Sequence, residues 1–361
     1  MNRLTAIGLA SLVAYGLLLT SKYTGFVSAA REDRGPLSTL DQGAVVGSAV
    51  IGRVNPEPAI RPVALPPPIP RAEQMRASPA AVDFRAARDL KSFADGLIAR
   101  VGELTGDERY HLAKALEECQ FTTTINEDLA AYSAKQRRLF MSGLTVGDPN
   151  NTKRIAAYDA VDNTQRCMRF QGSKISQKEI EDLFAAAAQQ GDARAQARLL
   201  VADLNTKVTN ANRNSTGDTA STRVVSDQFS QMIGLLESRD PEAMMIVGGF
   251  LAQNAIANTL HVGPNGEVPE PSAFQGGFYL AACNDGTDCS SLSRESQMAC
   301  AYGGYCNAAS YEELYQNFMA SPWTYTQAMR YRALILTAIQ TRNWSLIGLT
   351  PKILSAKPTP Q

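Results

Sequence analysis

Residues 180–200 read IEDLFAAAAQQGDARAQARLL, and this stretch decides the fold class. Apolar and alanine residues recur every three or four positions on both sides of Gly191-Asp192, which is the spacing of an amphipathic helix and not the alternation of a strand. A glycine that closes one helix and an aspartate that caps the next indicate a tight turn between them. The stretch therefore predicts a hairpin of two closely packed helices.

Helical spacing continues along most of the chain after Asp83, and no pair of alternating segments is joined by a tight Asn-Gly or Asp-Gly turn. Ser176 with Glu179 forms a capping-box pattern, and Pro241 is expected at the first position of a helix. The sequence thus predicts an all-α fold. The predicted helices cover residues 84–101, 110–119, 128–141, 177–188, 193–204, 224–236, 242–257, 274–282, 291–299, 311–319 and 325–339.

The Gly-Asp phrase recurs. Gly106-Asp107 precedes another alanine-containing helix, and Asp240-Pro241 repeats the phrase without the glycine. In these residues the chain resembles the Sel1-like branch of the tetratricopeptide-type helical repeats, and its carboxy-terminal third is similar to exported bacterial helical proteins. The resemblance implies stacked helical hairpins that bind a protein or peptide on a concave surface. Because the aspartates are 85 and then 48 residues apart, the expected array is irregular.

The balance of charged residues indicates which class of partner the chain does not bind. The 361 residues include 35 Lys and Arg against 35 Asp and Glu, so the chain lacks the positive charge of a dedicated nucleic-acid binder. We therefore predict no nucleic-acid partner.

The first thirty residues have the composition of an export signal. Arg3 precedes an uncharged stretch over residues 4–19, and small residues follow at Ser28-Ala29-Ala30. Residues 1–30 are predicted to be either a signal peptide, cleaved after Ala29 or Ala30, or a retained membrane anchor. Both readings place the rest of the chain outside the cytoplasm, as a periplasmic, inner-membrane-anchored or secreted protein. Membrane contact is expected only through this segment.

Differences in composition divide the rest of the chain into a linker, two helical regions and a tail. Residues 31–82 hold nine of the 18 prolines, including Pro66-Pro67-Pro68, and are predicted to be an extended linker. Residues 83–260 are predicted to form the repeat-like helical domain and residues 261–350 a helical region pinned by disulfides. Residues 351–361 are predicted to be a flexible tail.

Six cysteines in an exported chain favour disulfide bonds. Cys119 and Cys167 lie far from the other four and are expected to pair. For Cys283, Cys289, Cys300 and Cys306 we favour pairing within each closely spaced couple; the alternative is a nested arrangement of Cys283 with Cys306 and Cys289 with Cys300. A four-thiolate zinc site lacks the usual Cys-x2-Cys spacing, and the acidic loop at residues 284–288 offers too few oxygens for an EF-hand calcium site. No metal and no cofactor are predicted.

Residues for catalysis are scarce. The two histidines are His111, which we place on the exposed side of its helix, and His261, and the common hydrolase and phosphate-loop motifs do not occur. No catalytic residue is therefore predicted. The adjacent Glu117 and Glu118 leave open a carboxylate-based cell-wall hydrolase, and a secreted effector is a further alternative.

Aromatic residues are concentrated around the last cysteines. Tyr302, Tyr305 and Trp323 are candidate binding residues, although the aromatics of this region are equally consistent with the core of a small stapled unit. The favoured function is non-catalytic binding of a protein or peptide partner in the cell envelope.

Overall fold

The computed structural model describes residues 78–350, except residue 126 and residues 215–218. The predicted leader at residues 1–30, most of the predicted linker and the tail at residues 351–361 lie outside the described residues. Within the described part the chain is helical, with two isolated β-bridges and no strand, so the all-α prediction is confirmed. No described helix is both long and apolar enough to cross a bilayer.

Turns, 3-10 segments and a few longer connections, such as residues 258–270, join the helices. The first half contains α1 (Pro79–Ala86), α2 (Leu90–Ile98), α3 (Gly106–Cys119), α4 (Leu129–Ser142), α5 (Asn151–Val161), α6 (Thr164–Cys167), α7 (Gln177–Gln189) and α8 (Ala193–Asn214). The second half contains α9 (Thr219–Ser226), α10 (Phe229–Glu237), α11 (Pro241–Leu251), α12 (Asn254–Ala257), α13 (Pro271–Asn284), α14 (Arg294–Gly303), α15 (Tyr311–Leu314) and α16 (Pro322–Thr341). A π-helical segment, Tyr315–Met319, joins α15 to α16.

Helix α3 forms the centre of the first hydrophobic core. Helices α1, α2 and α7 pack against it, so side chains on nearly every face of α3 are buried. Tyr110 and Leu112, for example, are each only 1% exposed. This core extends from Phe84 to Ala195.

The second hydrophobic core is built on α11, α13 and α16 and also takes in the inner face of α8. Phe250 and Phe274 both belong to it, so the regions predicted to meet at residue 260 share one core. Glycines allow the helices to approach closely. A Cβ atom on Gly277 of α13 would lie 2.8 Å from Tyr331 Cβ and 3.2 Å from the Ala328 carbonyl oxygen of α16.

Most predicted helices are present, with shifted ends. Ser176 caps α7 by accepting the Glu179 amide, which is one of the two hydrogen bonds of the predicted capping box. Pro241 opens α11 after Asp240, as predicted. The segments predicted at 84–101, 224–236 and 242–257 are each divided into two helices, because turns interrupt the regular backbone. Helix α5 was not predicted, because it buries only Ala157, Tyr158 and Val161 and its apolar pattern is weak.

All six cysteines are paired in the favoured way. The bonds join Cys119 to Cys167, Cys283 to Cys289 and Cys300 to Cys306. The first bond ties the end of α3 to α6, and the other two each close a loop between residues six positions apart. The predicted carboxy-terminal pinning is confirmed.

Candidate functional site

Three aspartates from distant parts of the sequence surround the side chain of Arg194. The Arg194 Nη2 atom donates to Asp107 Oδ1 at 2.6 Å and to Asp192 Oδ2 at 2.5 Å, and its Nε atom lies 3.8 Å from Asp240 Oδ2. These are the aspartates of the recurring sequence phrase, but no local pattern indicates that they converge. Because Asp107 lies on α3 and Asp240 begins α11, the cluster joins the two cores.

The three aspartates do not share the predicted capping role. Asp192 and Asp240 accept backbone amides at the starts of α8 and α11, as expected. Helix α3 is instead capped by Thr105, which forms a capping box with Glu108. Asp107 is therefore free to turn toward Arg194.

Glu242 of α11 extends the contact between the cores. It accepts hydrogen bonds from the Tyr110 hydroxyl and from Lys114 Nζ, both at 2.7 Å and both from α3. The Arg194 guanidinium lies 4.4 Å from the centroid of the Tyr110 ring, within cation–π range. We name the set Asp107, Tyr110, Lys114, Asp192, Arg194, Asp240 and Glu242 the Arg194 cluster.

The environment shifts the pKa values of Asp107, Glu242 and Asp240 in different ways. Burial acts to raise the pKa of Asp107, but hydrogen bonds from His111 and Arg194 outweigh it and hold that pKa well below its usual range. Burial likewise opposes ionisation of Glu242, but the Lys114 charge and the Tyr110 hydroxyl lower its pKa to about 2. The pKa of Asp240 is raised by burial, which its amide hydrogen bond and the Arg194 charge only partly offset.

Arg194 remains the positive centre of the cluster. Burial acts to lower its pKa, but the hydrogen bonds and charges of Asp192 and Asp107 outweigh that effect and raise the pKa above its ordinary value. Because the charged groups of the cluster bind one another, the arrangement links helices. Neither of the two cavities described below is lined by a member of the cluster.

The prediction that His111 is exposed is wrong. Its residue exposure is 4%, since the ring packs between Phe84 and Tyr110 and its Nδ1 lies 2.9 Å from the Asp107 carbonyl oxygen. A helical wheel cannot identify an exposed face on α3, because neighbouring helices cover it on several sides. His261 is exposed, with Nδ1 3.1 Å from the Gly266 carbonyl oxygen.

Glu117 and Glu118 do not face each other across a cleft. Glu117 forms an ion pair with Arg198 of α8. Glu118 accepts from Asn163 at 3.0 Å and lies 3.5 Å from Arg166 on the other side of α3. The two carboxylates therefore each hold a different neighbouring helix.

The predicted aromatic residues are divided among three places. Tyr302 and Trp323 are each 59% exposed. Tyr302 contacts the edge of a stacked pair formed by Phe140 and Tyr158, whose centroids are 4.3 Å apart. Tyr305 stacks on Phe318 at 4.9 Å, and Trp323 has no ring partner among the described residues.

Other aromatics of the same region belong to the core. Tyr311, Tyr315 and Tyr331 are at most 7% exposed. These three rings thus belong to the core, whereas Tyr302, Tyr305 and Trp323 stay candidate binding residues. The sequence did not indicate Phe140 or Tyr158, because their helices are far along the chain from Cys300 and Cys306. It did not indicate Phe318 either, because nothing distinguishes that residue from the core aromatics near it.

Two cavities lie near disulfides. One, of about 470 Å³, is lined mainly by polar residues including Thr123, Ser173 and Lys174 near the Cys119–Cys167 bond. The other, of about 250 Å³, lies between α5 and α14 and is lined by Tyr305 and the Cys300–Cys306 bond. Neither lining includes an aspartate or a glutamate.

The acidic loop between Cys283 and Cys289 binds arginines. Asn284 Oδ1 accepts from Arg332 at 2.7 Å, and Asp285 Oδ1 accepts from Arg239 at 2.7 Å. Among the described residues, no group of three or more His, Cys, Asp or Glu side chains is arranged to bind a metal ion.

Comparisons of the chain with protein families, with curated proteins and with solved structures gave no significant match.

Proposed function

We propose that this chain is a non-catalytic binding protein of the cell envelope that holds a protein or peptide partner on its helical surface. The observation that carries the proposal is the exposure of large aromatic side chains in the carboxy-terminal part of the chain. Tyr302 and Trp323 are 59% exposed and Phe318 is 43% exposed. Tyrosine and tryptophan are the side chains most enriched at the energetic centres of protein interfaces.

One of these rings, that of Tyr302, lies on a covalently closed loop. The Cys300–Cys306 bond closes the loop that carries Tyr302 and Tyr305. A surface fixed before binding loses less conformational entropy when a partner arrives. The three disulfides also support an oxidising compartment, in keeping with the export signal expected at residues 1–30.

The side chains considered for catalysis support the same proposal. Glu117 and Glu118 pair with separate arginines, and His111 is buried against Asp107. Each of these groups contributes to packing between helices. The Sel1-like resemblance of residues 180–204 remains part of the proposal, as a further expectation of a protein-binding scaffold.

Quantitative affinity capture from envelope fractions tests the proposal. The purified chain is compared with Trp323→Ser and with Val82→Ser, a control at another apolar residue that is 50% exposed. We expect a reproducible partner whose purified form binds Trp323→Ser about 30-fold more weakly than wild type, because an interface hot spot contributes about 2 kcal/mol. Binding to Val82→Ser should be unchanged.

Two outcomes of the same experiment would contradict the proposal. A partner that binds all three proteins equally would remove the aromatic surface from the interface. The absence of any reproducible partner would contradict the binding function itself.

A further inference from the structure

The 250 Å³ cavity between α5 and α14 has a buried floor and an open rim. Its floor includes Ala157, Cys300 and Leu314, which are 1%, 8% and 1% exposed. Tyr305 forms one wall, and the exposed residues Lys153 and Ala156 lie at the rim. The cavity is thus a mainly apolar recess that opens beside a lysine, although Ser291, Ser296 and Gln297 also line it.

Its size favours one kind of occupant. Sites for small organic ligands usually enclose about 300–1,000 Å³. A recess of about 250 Å³ has room for one large side chain that enters from a partner, with the partner backbone remaining outside.

Its shape is fixed without the partner. The Cys300–Cys306 bond spans the floor, and the Tyr305 ring is stacked on Phe318 at 4.9 Å. An apolar side chain that enters such a preformed recess is removed from water with little reordering of the wall.

The rim adds a charge requirement. Lys153 Nζ donates to Asn307 Oδ1 at 2.7 Å, and no carboxylate lies within ion-pair distance of it in the described ranges. The adjacent Arg154, in contrast, lies 3.5 Å from Asp148. Because the cavity lining contains no acidic residue, the Lys153 charge is available to an acidic group of a partner.

We propose that this cavity is the anchoring pocket of the binding surface and takes a large apolar side chain from a peptide segment that carries an acidic residue beside it. The inference rests on the proposed function and names the chemistry of the partner. Tyr302 belongs to the same disulfide-closed loop as the lining residues Cys300, Tyr305 and Cys306, and its ring is exposed. It adds aromatic contact area for the peptide residues that flank the anchoring side chain.

A display library of random eight-residue peptides, selected on the immobilised oxidised full chain, tests the pocket. The variants are Ala156→Trp, which fills the recess from its rim, and Lys153→Glu, which reverses the charge. The matched control is Ala160→Trp, an exposed position one turn further along α5 that does not line the cavity. Circular dichroism melting confirms that each variant is folded before selection.

We expect wild type and Ala160→Trp to enrich peptides in which Leu, Met or Phe lies next to Asp or Glu. A synthetic copy of the most enriched peptide, measured by fluorescence polarisation, should bind Ala156→Trp about tenfold or more weakly, which corresponds to about 1.4 kcal/mol. Lys153→Glu should retain the apolar preference and exchange the acidic neighbour for Lys or Arg.

Two results would overturn the pocket and leave the binding function intact. One is enrichment of peptides that bind Ala156→Trp as tightly as wild type and lose binding in Trp323→Ser. The other is an apolar motif whose neighbouring charge does not respond to Lys153→Glu. Failure to enrich any peptide over reduced, unfolded chain would count against both proposals.

Discussion

Replacing Gly277 by alanine tests the close contact between α13 and α16. The new Cβ atom would lie 2.8 Å from Tyr331 Cβ, 3.1 Å from the Arg332 amide nitrogen and 3.2 Å from the Ala328 carbonyl oxygen. The last two are backbone atoms and the first is fixed to the backbone, so no rotamer change can relieve the contact. The two helices must move apart.

The size of the effect follows from two opposing terms. Overpacking in a core costs about 1–3 kcal/mol, whereas Gly→Ala in a helix contributes about 1 kcal/mol of stability through helix propensity. Gly249 of α11 supplies the matched control, because a Cβ atom there would have no neighbour within 4 Å. Since the propensity term is common to both variants, the difference in their unfolding free energies measures the contact alone.

Urea unfolding of the oxidised protein, followed by circular dichroism, provides the measurement. We expect Gly249→Ala to be about 0.5–1 kcal/mol more stable than wild type, and Gly277→Ala to be about 1–3 kcal/mol less stable than Gly249→Ala. The m-values should remain equal, so that the comparison concerns the native state. Equal stability of the two variants would refute the close packing of α13 on α16.

Three further changes probe the disulfides and the Arg194 cluster. Replacing both Cys119 and Cys167 by alanine should lower the free energy of unfolding, measured by urea titration, by about 4 kcal/mol. Replacing Cys300 and Cys306 should lower it by about 2.4 kcal/mol, because the sequence separation is 6 there and 48 in the first pair. An equal loss in the two variants would contradict this dependence on loop length. Folding lowers the pKa of Glu242 from 4.5 to about 2, so the stability that its ionised form contributes should be lost from wild type as the pH falls from 4.5 toward 2. The stability of Glu242→Gln should fall less steeply over the same pH range. Parallel pH profiles would exclude Glu242 as a source of acid sensitivity. Arg194→Met should destabilise the chain by about 3–5 kcal/mol at pH 7, because the buried Asp192 and the half-buried Asp107 lose their common cation. A thermal melt within a degree of wild type would argue against the cluster as a link between the cores.

Local sequence signals predicted where helices lie more accurately than they predicted which residues pack against those helices. The spacing of residues 180–200 predicted α7 and α8, and the Asp240-Pro241 pair correctly placed the start of α11. These features depend on neighbours within one or two turns, which the sequence displays directly. The weakly amphipathic α5 was missed, because few of its side chains are buried.

The candidate site was only partly predictable. Tyr302, Tyr305 and Trp323 were identified by type and by closeness to cysteines, but their distribution over separate places depends on how α14 meets α5 and how the π-helical segment leads into α16. Lys153, at the rim of the anchoring pocket, is 147 residues from Cys300. No short-range pattern connects them.

By itself, the sequence determined that the described chain is helical, where several helices are capped and which cysteines are close enough along the chain to pair. Helical period, caps and short disulfide loops are local properties, so they are encoded within a few residues. Packing between distant helices, in contrast, buries His111, brings Asp107, Asp192 and Asp240 around Arg194 and opens a recess beside Lys153. Each of these depends on which faces of distant helices come together, because packing brings charges and surfaces into contact without regard to their separation in the sequence.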